Sequence, residues 1–155
     1  MSRIDYYHDP AAPRANSLVV GSSAIVVDSR NQILLQRRSD SGNWALPGGA
    51  MDIGETLAES AIREVKEETG FDVQIERIVG IYSDPAHVFA YDDGEVRQEF
   101  SICLACTITG GSLQVSSEST AVAFFAFAAV TDLQMHESVR SRIRDYLDSK
   151  PPVLR

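Results

Sequence analysis

At 155 residues the chain has the length of one domain with room for a sizeable core, and its 44% apolar content is ordinary for a globular protein. A formal charge of −8 argues against a general affinity for nucleic acid, which needs basic patches to replace counterions, but does not exclude a small phosphorylated ligand, which metal ions can bridge to an acidic protein. The start, Met1-Ser-Arg-Ile-Asp-Tyr-Tyr-His8, lacks the apolar core of a signal peptide, and the longest apolar run, Ala121–Val130, is too short to span a bilayer; a cytoplasmic protein without membrane contact is expected.

Residues 1–17 are polar, carry Pro10 and Pro13, and read as an N-terminal arm or an edge strand. Leu18–Asp28 and Gln32–Arg37 read as two strands joined by the turn-rich tetrad Asp28-Ser-Arg-Asn31. A loop at 39–43, a short strand from Trp44 and a helix from Thr56 follow. Val73–Tyr82 reads as a further strand, and Phe89–Tyr91 and Val96–Thr107 flank a hairpin turn at Asp92-Asp-Gly94. After Gly110-Gly111 come a strand near Ala121–Phe127 and an amphipathic helix, Ser138–Leu147, with Val139, Ile143, Tyr146 and Leu147 at helical spacing. The expected organisation is an arm (1–17), one domain (18–150) and a tail (151–155) that ends the fold after Pro151-Pro152. Cys103 and Cys106 fall in a strand at odd separation, so they face opposite ways and read as packing residues rather than a redox pair.

The helix at Thr56 carries the chemistry. Thr56 followed by Glu59 has the capping-box form, and Gly70 sits where a left-handed residue would end the helix. Leu57, Ala58, Ala61, Ile62 and Val65 form an apolar stripe between them. At 100° per residue, Glu67 falls roughly 60° to one side of Glu64 and Glu68 roughly 40° to the other. The three like charges repel unless a hard cation neutralises them, and magnesium or manganese prefers carboxylate and carbonyl oxygens. An isolated Glu-x-x-Glu-Glu is commonly a solvated face, here balanced by Arg63 and Lys66. The preceding loop Leu46-Pro-Gly-Gly49 and Glu55 turn the reading to a metal site.

The spacing Gly49, Glu55, Arg63-Glu64, Glu67-Glu68, Gly70, with Val65 and Phe71 in its apolar slots, resembles the Nudix box; a chance match is on the order of one in a million. The resemblance implies an α/β fold of the Nudix type, an α/β/α sandwich with a mixed central sheet. It implies a hydrolase that cleaves a nucleoside diphosphate linked to another moiety. By position in the motif, Glu64, Glu67 and Glu68 would bind Mg2+ (Mn2+ as an alternative), helped by the Gly48 carbonyl; Arg63 would orient the neighbouring carboxylate and Glu55 would support the loop–helix junction. No position departs from the motif.

Bound magnesium can polarise phosphorus and acidify a water, and a carboxylate base adds roughly 10² to 10⁴ in rate. Glu67 or Glu64 is the candidate base, with Glu68 mainly a ligand; their shared chemistry leaves that choice open. Glu118, in the loop before a strand, is the first candidate for a further catalytic carboxylate and Glu99 the second, against the plain reading of each as a surface acid. Arg37, Arg38 and Arg97 end or begin strands and are candidates for phosphate binding, with at most one of Arg37 and Arg38 facing the cleft. Tyr82, His87, Phe89 and Tyr91 are candidates for stacking on a base, against a core or rim role, and Trp44 reads as packing.

ADP-ribose-like compounds are the favoured substrates, on the weak likeness of Tyr82-Ser-Asp-Pro85 to a segment of such enzymes. Nucleoside triphosphates are the alternative. A non-catalytic nucleotide sensor and an RNA-end hydrolase stand behind both, since the first should lose box carboxylates and the second needs a basic track. The arm would suit exchange between subunits, so a homodimer is allowed.

Overall fold

The computed structural model describes residues 2–148 and 151–155. Twelve strands among these form two sheets. The large sheet runs β11 (Ser119–Ala126), β4 (Gln32–Arg38), β3 (Gly21–Val27), β10 (Ser101–Gly111), β7 (Phe71–Tyr82) and β12 (Val153–Leu154), with β5 (Trp44–Ala45) on β4 and β6 (Gly48–Ala50) on β3. It is mixed: β3 runs parallel to β10 and β12 parallel to β7, and the other pairs are antiparallel. The small sheet runs β1 (Arg3–Tyr7), β8 (His87–Tyr91), β9 (Val96–Gln98) and β2 (Ser17–Leu18).

Strand β10 is central because its side chains are apolar on both faces, as a strand covered on two sides requires. Ile102, Leu104 and Cys106 pack with Ala61 and Val65 of helix α1 (Leu57–Thr69) on one face of the large sheet. Cys103 and Ala105 pack with Ile143, Val139 and Tyr146 of helix α2 (Glu137–Asp148) on the other. The architecture is therefore helix, mixed sheet, helix. Both cysteines are free and buried, on opposite faces of their strand. Among the described residues no helix is long and apolar enough to cross a membrane.

Several expectations need correction. Leu18–Asp28 is two strands, since β2 belongs to the small sheet and β3 to the large one. Val96–Thr107 divides in the same way at Glu99-Phe100. The first run stays apolar while crossing between sheets, and the second crosses at the polar stretch Arg97-Gln-Glu99, which does not by itself mark a change of sheet. Of the two readings of residues 1–17, an edge strand holds for residues 3–7, which form β1 at the edge of the small sheet, antiparallel to β8. The tail returns to the fold: β12 pairs with Gly80 and Ile81, and Arg155 places two nitrogens on Asp145 at 2.9 and 2.8 Å. Leu147 points outward, 53% exposed, so α2 buries Val139, Ile143 and Tyr146 alone of the four expected positions.

Candidate active site

Helix α1 begins and ends as its sequence requires. The Thr56 hydroxyl accepts from the Glu59 amide, the Glu59 carboxylate accepts from the Thr56 amide, and Gly70 closes the helix at φ 82°. The buried face is rotated from the apolar stripe. Ser60, Ala61, Val65, Glu68 and Thr69 are buried, whereas Ile62 is exposed. Burial of Thr69 and Glu68 is tolerable because the Thr69 hydroxyl donates to the Val65 carbonyl and one Glu68 oxygen accepts two bonds, whereas the Ser60 hydroxyl has no partner among the described residues. That rotation turns Glu68 inward, Glu64 to a half-buried position and Glu67 outward.

Each carboxylate is held differently. One oxygen of Glu68 accepts from the Gly48 amide at 2.8 Å and from Gln36 of β4 at 2.7 Å, and Gln36 is braced in turn by the Ser119 hydroxyl at 2.7 Å. Arg63 donates through Nε and Nη2 to Glu55 at 2.9 and 2.7 Å, and through Nη1 to Glu64 at 2.8 Å and Glu67 at 3.3 Å. A further bond from Arg63 to the Ala50 carbonyl ties the helix to β6. Glycine at 49 leaves room for the Glu64 carboxylate, because a Cβ there would lie 2.6 Å from Glu64 Oε1. We expect Gly49→Ala to leave the thermal midpoint nearly unchanged but to push the Glu64 carboxylate aside, lowering kcat by about 10²-fold; steady-state kinetics beside a melting curve checks this.

The electrostatics call for a cation. Burial pushes the Glu68 carboxyl up to about 8, with Glu64 and Glu118 adding repulsion against the two bonds it accepts. Burial also raises Glu64, where Glu67 and Glu118 add to the effect and Arg63 opposes it. Glu55, by contrast, is brought down to about 2, chiefly by Arg63. One arginine committed to Glu55 leaves the inner acids short of positive charge. All-oxygen donors carrying surplus negative charge fit a hard divalent ion. Glu64, Glu67, Glu68 and Glu118 line one chamber together with Gly48, Gly49 and Ser116.

A second chamber, of about 530 Å³, adjoins the first. The two share Arg3, Arg38, Arg97, Tyr91 and the strand Gly48–Ala50, so three guanidinium groups stand where the chambers meet. Arg38 is held by Asp40 and Arg97 by Glu95, while Arg3 lies over the Phe89 ring at 4.5 Å and Arg97 over Tyr91 at 4.9 Å. The far wall is built from Trp44, Phe89, Phe100, His136, His87 and Asp5.

The sequence-predicted residues divide accordingly. Arg38 reaches the cleft and Arg37 does not; its Nε donates to the Gly42 carbonyl in the adjoining loop. Tyr82 lies outside both chambers, buried, with its hydroxyl donating to Asp145 at 2.8 Å and Arg142 over its ring. Glu99 is no free catalytic acid, because it is buried between His87 Nδ1 at 2.5 Å and Arg142 at 2.8 Å. His87 is the buried centre of an ion cluster rather than an exposed stacking ring. Phe89, Tyr91 and Trp44 do line the cleft, Trp44 while packing edge-on against Phe125. Sequence reasoning missed Arg3, Asp5, His136 and Gln36. The alternation Arg3, Asp5, Tyr7 was the available signal for the first two, since it places charged and aromatic side chains on one face of a strand.

Residues 18–147 match the model of the NUDIX domain. A MutT-like protein of Streptomyces ambofaciens is 33% identical over 136 residues, which cover 88% of this chain and 81% of that one. An ADP-ribose pyrophosphatase of Methanocaldococcus jannaschii is 32% identical over 126 residues, covering 79% and 69%. Among solved structures, an ADP-ribose pyrophosphatase from Streptococcus suis superposes with a TM-score of 0.63 at 25% identity, over 88% of this chain and 97% of that one.

Proposed function

Because this chain belongs to the Nudix hydrolase family, whose members act on phosphoanhydride bonds with a divalent metal, we propose that it splits the diphosphate of a nucleoside diphosphate joined to a second moiety, ADP-ribose in particular. The carrying observation is the pair of chambers meeting at Arg3, Arg38 and Arg97. A diphosphate seated among these guanidinium groups has the acids on one side and a separate, aromatic-walled space on the other. Such a cleft suits a substrate with substantial groups beyond both phosphates, which a nucleoside triphosphate does not have. The ADP-ribose pyrophosphatases among the similar proteins support the same choice.

In this reading Glu64, Glu67 and Glu68 hold magnesium, with the Gly48 carbonyl beside them, and the ion supplies charge neutralisation at the phosphoryl oxygens when bound. The protein's own residues do the rest. Gln36 and the Gly48 amide fix the orientation of Glu68, and Arg63 fixes Glu64. Glu67, with 59% of its side chain exposed and one 3.3 Å contact to Arg63, is the freest of the three to take a proton from the attacking water. Glu118 completes the acidic wall from its loop, which is pinned to β4 by the Ser39 amide and hydroxyl on the Glu118 carbonyl. The arginines bind and orient the diphosphate.

The test is a substrate panel with magnesium, products identified by mass: ADP-ribose, other nucleotide sugars, dinucleoside polyphosphates and nucleoside triphosphates. AMP plus ribose 5-phosphate is the expected outcome. Pyrophosphate from triphosphates, with ADP-ribose untouched, would overturn the substrate assignment, and binding without turnover of any compound would overturn the enzymatic one.

A further inference from the structure

The far wall of the second chamber contains a cluster that the box chemistry does not use. Asp5 Oδ1 accepts from His87 Nε2 at 3.2 Å, and His87 Nδ1 meets Glu99 Oε2 at 2.5 Å. Glu99 is in turn held by Arg142 at 2.8 Å. A ring nitrogen of His136 lies within 4.8 Å of the liganding atoms of Asp5 and His87, and the His136 ring stacks on His87 at 5.2 Å. His136 also caps α2, because its Nδ1 accepts from the Ser138 amide at 3.1 Å. An accepting Nδ1 places the proton of the neutral ring on Nε2, which makes His136, a residue lining the chamber, a hydrogen-bond donor through that atom.

Asp5 is consequently fixed on one oxygen and open on the other. Its Oδ2 has only a 3.5 Å contact to Arg3, and a third of the side chain remains exposed. Asp5 stands two residues from Arg3 on the same face of β1, and the Arg3 guanidinium lies 3.5 Å from Asp5 Oδ2. A phosphate held on the other side of Arg3 would have the hydroxyls of the ribose it carries within reach of Asp5. A carboxylate acceptor beside an imidazole N–H donor matches paired sugar hydroxyls, and an acidic side chain on a ribose hydroxyl is a recurrent arrangement in nucleotide sites.

We propose that Asp5, oriented by His87, and His136 form the subsite for the vicinal hydroxyls of the ribose beyond the second phosphate, with Arg3 holding that phosphate. This inference rests on the reading of the substrate as a nucleoside diphosphate sugar and adds the determinant that selects the sugar. Asp5 and His136 are then binding residues, whereas His87 and Glu99 act through Asp5 as positioning residues. The stiff chain Arg142–Glu99–His87–Asp5 ties the N-terminal strand to α2, so the subsite is assembled by the fold rather than by the substrate.

The experiment pairs two variants with two substrates. In Asp5→Asn the amide oxygen can still accept from His87, but the charge is gone; in His136→Asn the side-chain oxygen can still cap α2, but the ring N–H is gone. With ADP-ribose, each variant is expected to raise KM by about 10- to 100-fold while kcat changes less than about threefold. With the analogue whose second ribose lacks its 2-hydroxyl, wild type should already show a raised KM, and Asp5→Asn should add little. Equal losses on both substrates would reduce Asp5 to a structural role and overturn the assignment, as would no loss on either. One Zn2+ bound per chain, lost in Asp5→Asn and His136→Asn but kept when Glu64, Glu67 and Glu68 are all glutamine, would also overturn it, since Asp5 would then be a metal ligand. Wild-type turnover of ADP-ribose with indifferent variants sinks this subsite alone; wild-type failure on ADP-ribose with turnover of triphosphates sinks the substrate reading and the subsite with it.

Discussion

Glu68→Gln is expected to lower kcat by at least about 100-fold while making the metal-free protein more stable above neutral pH. The two effects have one cause. Glu68 is buried, and burial together with Glu64 and Glu118 lifts its carboxyl from 4.5 to about 8. A carboxyl whose folded value lies above its unfolded value binds more protons in the folded state, so its effect is to lower stability as pH rises from 4.5 toward 8. Glutamine carries no charge to desolvate, and its carbonyl oxygen can accept the same bonds from Gln36 and the Gly48 amide. A gain of roughly 1–2 kcal/mol at pH 8.5, or about 2–8 °C in Tm, should follow without metal. Magnesium should raise the wild-type Tm at that pH and leave the variant nearly still, because ligand that binds only the folded state stabilises it. Thermal melts with and without magnesium, beside kcat, check all three statements. A variant that melts lower than wild type without metal, or that keeps its rate, would break the link between charge surplus and catalysis.

The carboxylate cluster itself was legible in the sequence because its parts are local. Thr56, Glu59 and Gly70 act within one turn of their neighbours, and Glu64, Glu67 and Glu68 share an arc of a single helix. Local hydrogen bonding and the helical repeat decide such features without knowledge of the rest of the chain. The rotation of α1 was not legible. Its cause is Gln36, Ser119 and the Gly48 amide, which satisfy a buried Glu68 from strands distant in sequence and so permit a polar residue where an apolar stripe would place Ile62.

The second chamber was less legible still. Arg3 and Asp5 reach it only because β1 pairs with β8, Arg3 opposite Tyr91 and Asp5 opposite Phe89. Nothing in a short polar arm specifies that register; it follows from which faces the neighbouring strands leave to be covered. Arg38 and Arg97 were candidates for phosphate binding, yet their meeting with Arg3 depends on β4 of the large sheet coming beside β1 and β9 of the small one. The division of 18–28 and 96–107 between sheets has the same origin, since which sheet each half joins is decided by partners distant in sequence.

Glu99→Gln should separate the remaining acid from the catalytic set, because its loss should appear in stability rather than in kcat. Glu99 is 8% exposed and contacts two cations, His87 at 2.5 Å and Arg142 at 2.8 Å. Burial works against its charge, but the His87 bond and Arg142 outweigh it and bring the carboxyl below its ordinary value. Removing one partner of a buried pair leaves the other uncompensated, at a cost of about 3–5 kcal/mol, or roughly 6–20 °C in Tm. His87 gives the pH signature. Burial opposes its charge, yet Asp5 and Glu99 overcome this and raise it from 6.5 to about 9. A histidine raised on folding adds stability that is complete below pH 6.5 and is lost as pH climbs through about 9. The gap between wild type and variant should therefore be widest between about pH 4.5 and 6.5, narrow toward pH 9 to the share owed to Arg142, and close again in stronger acid where Glu99 itself is protonated. Below its melting temperature the variant should keep kcat within about one order of magnitude, any further loss falling on KM through a less firmly held Asp5. A fall in kcat comparable to that of Glu68→Gln, at full folding, would return Glu99 to the catalytic carboxylates.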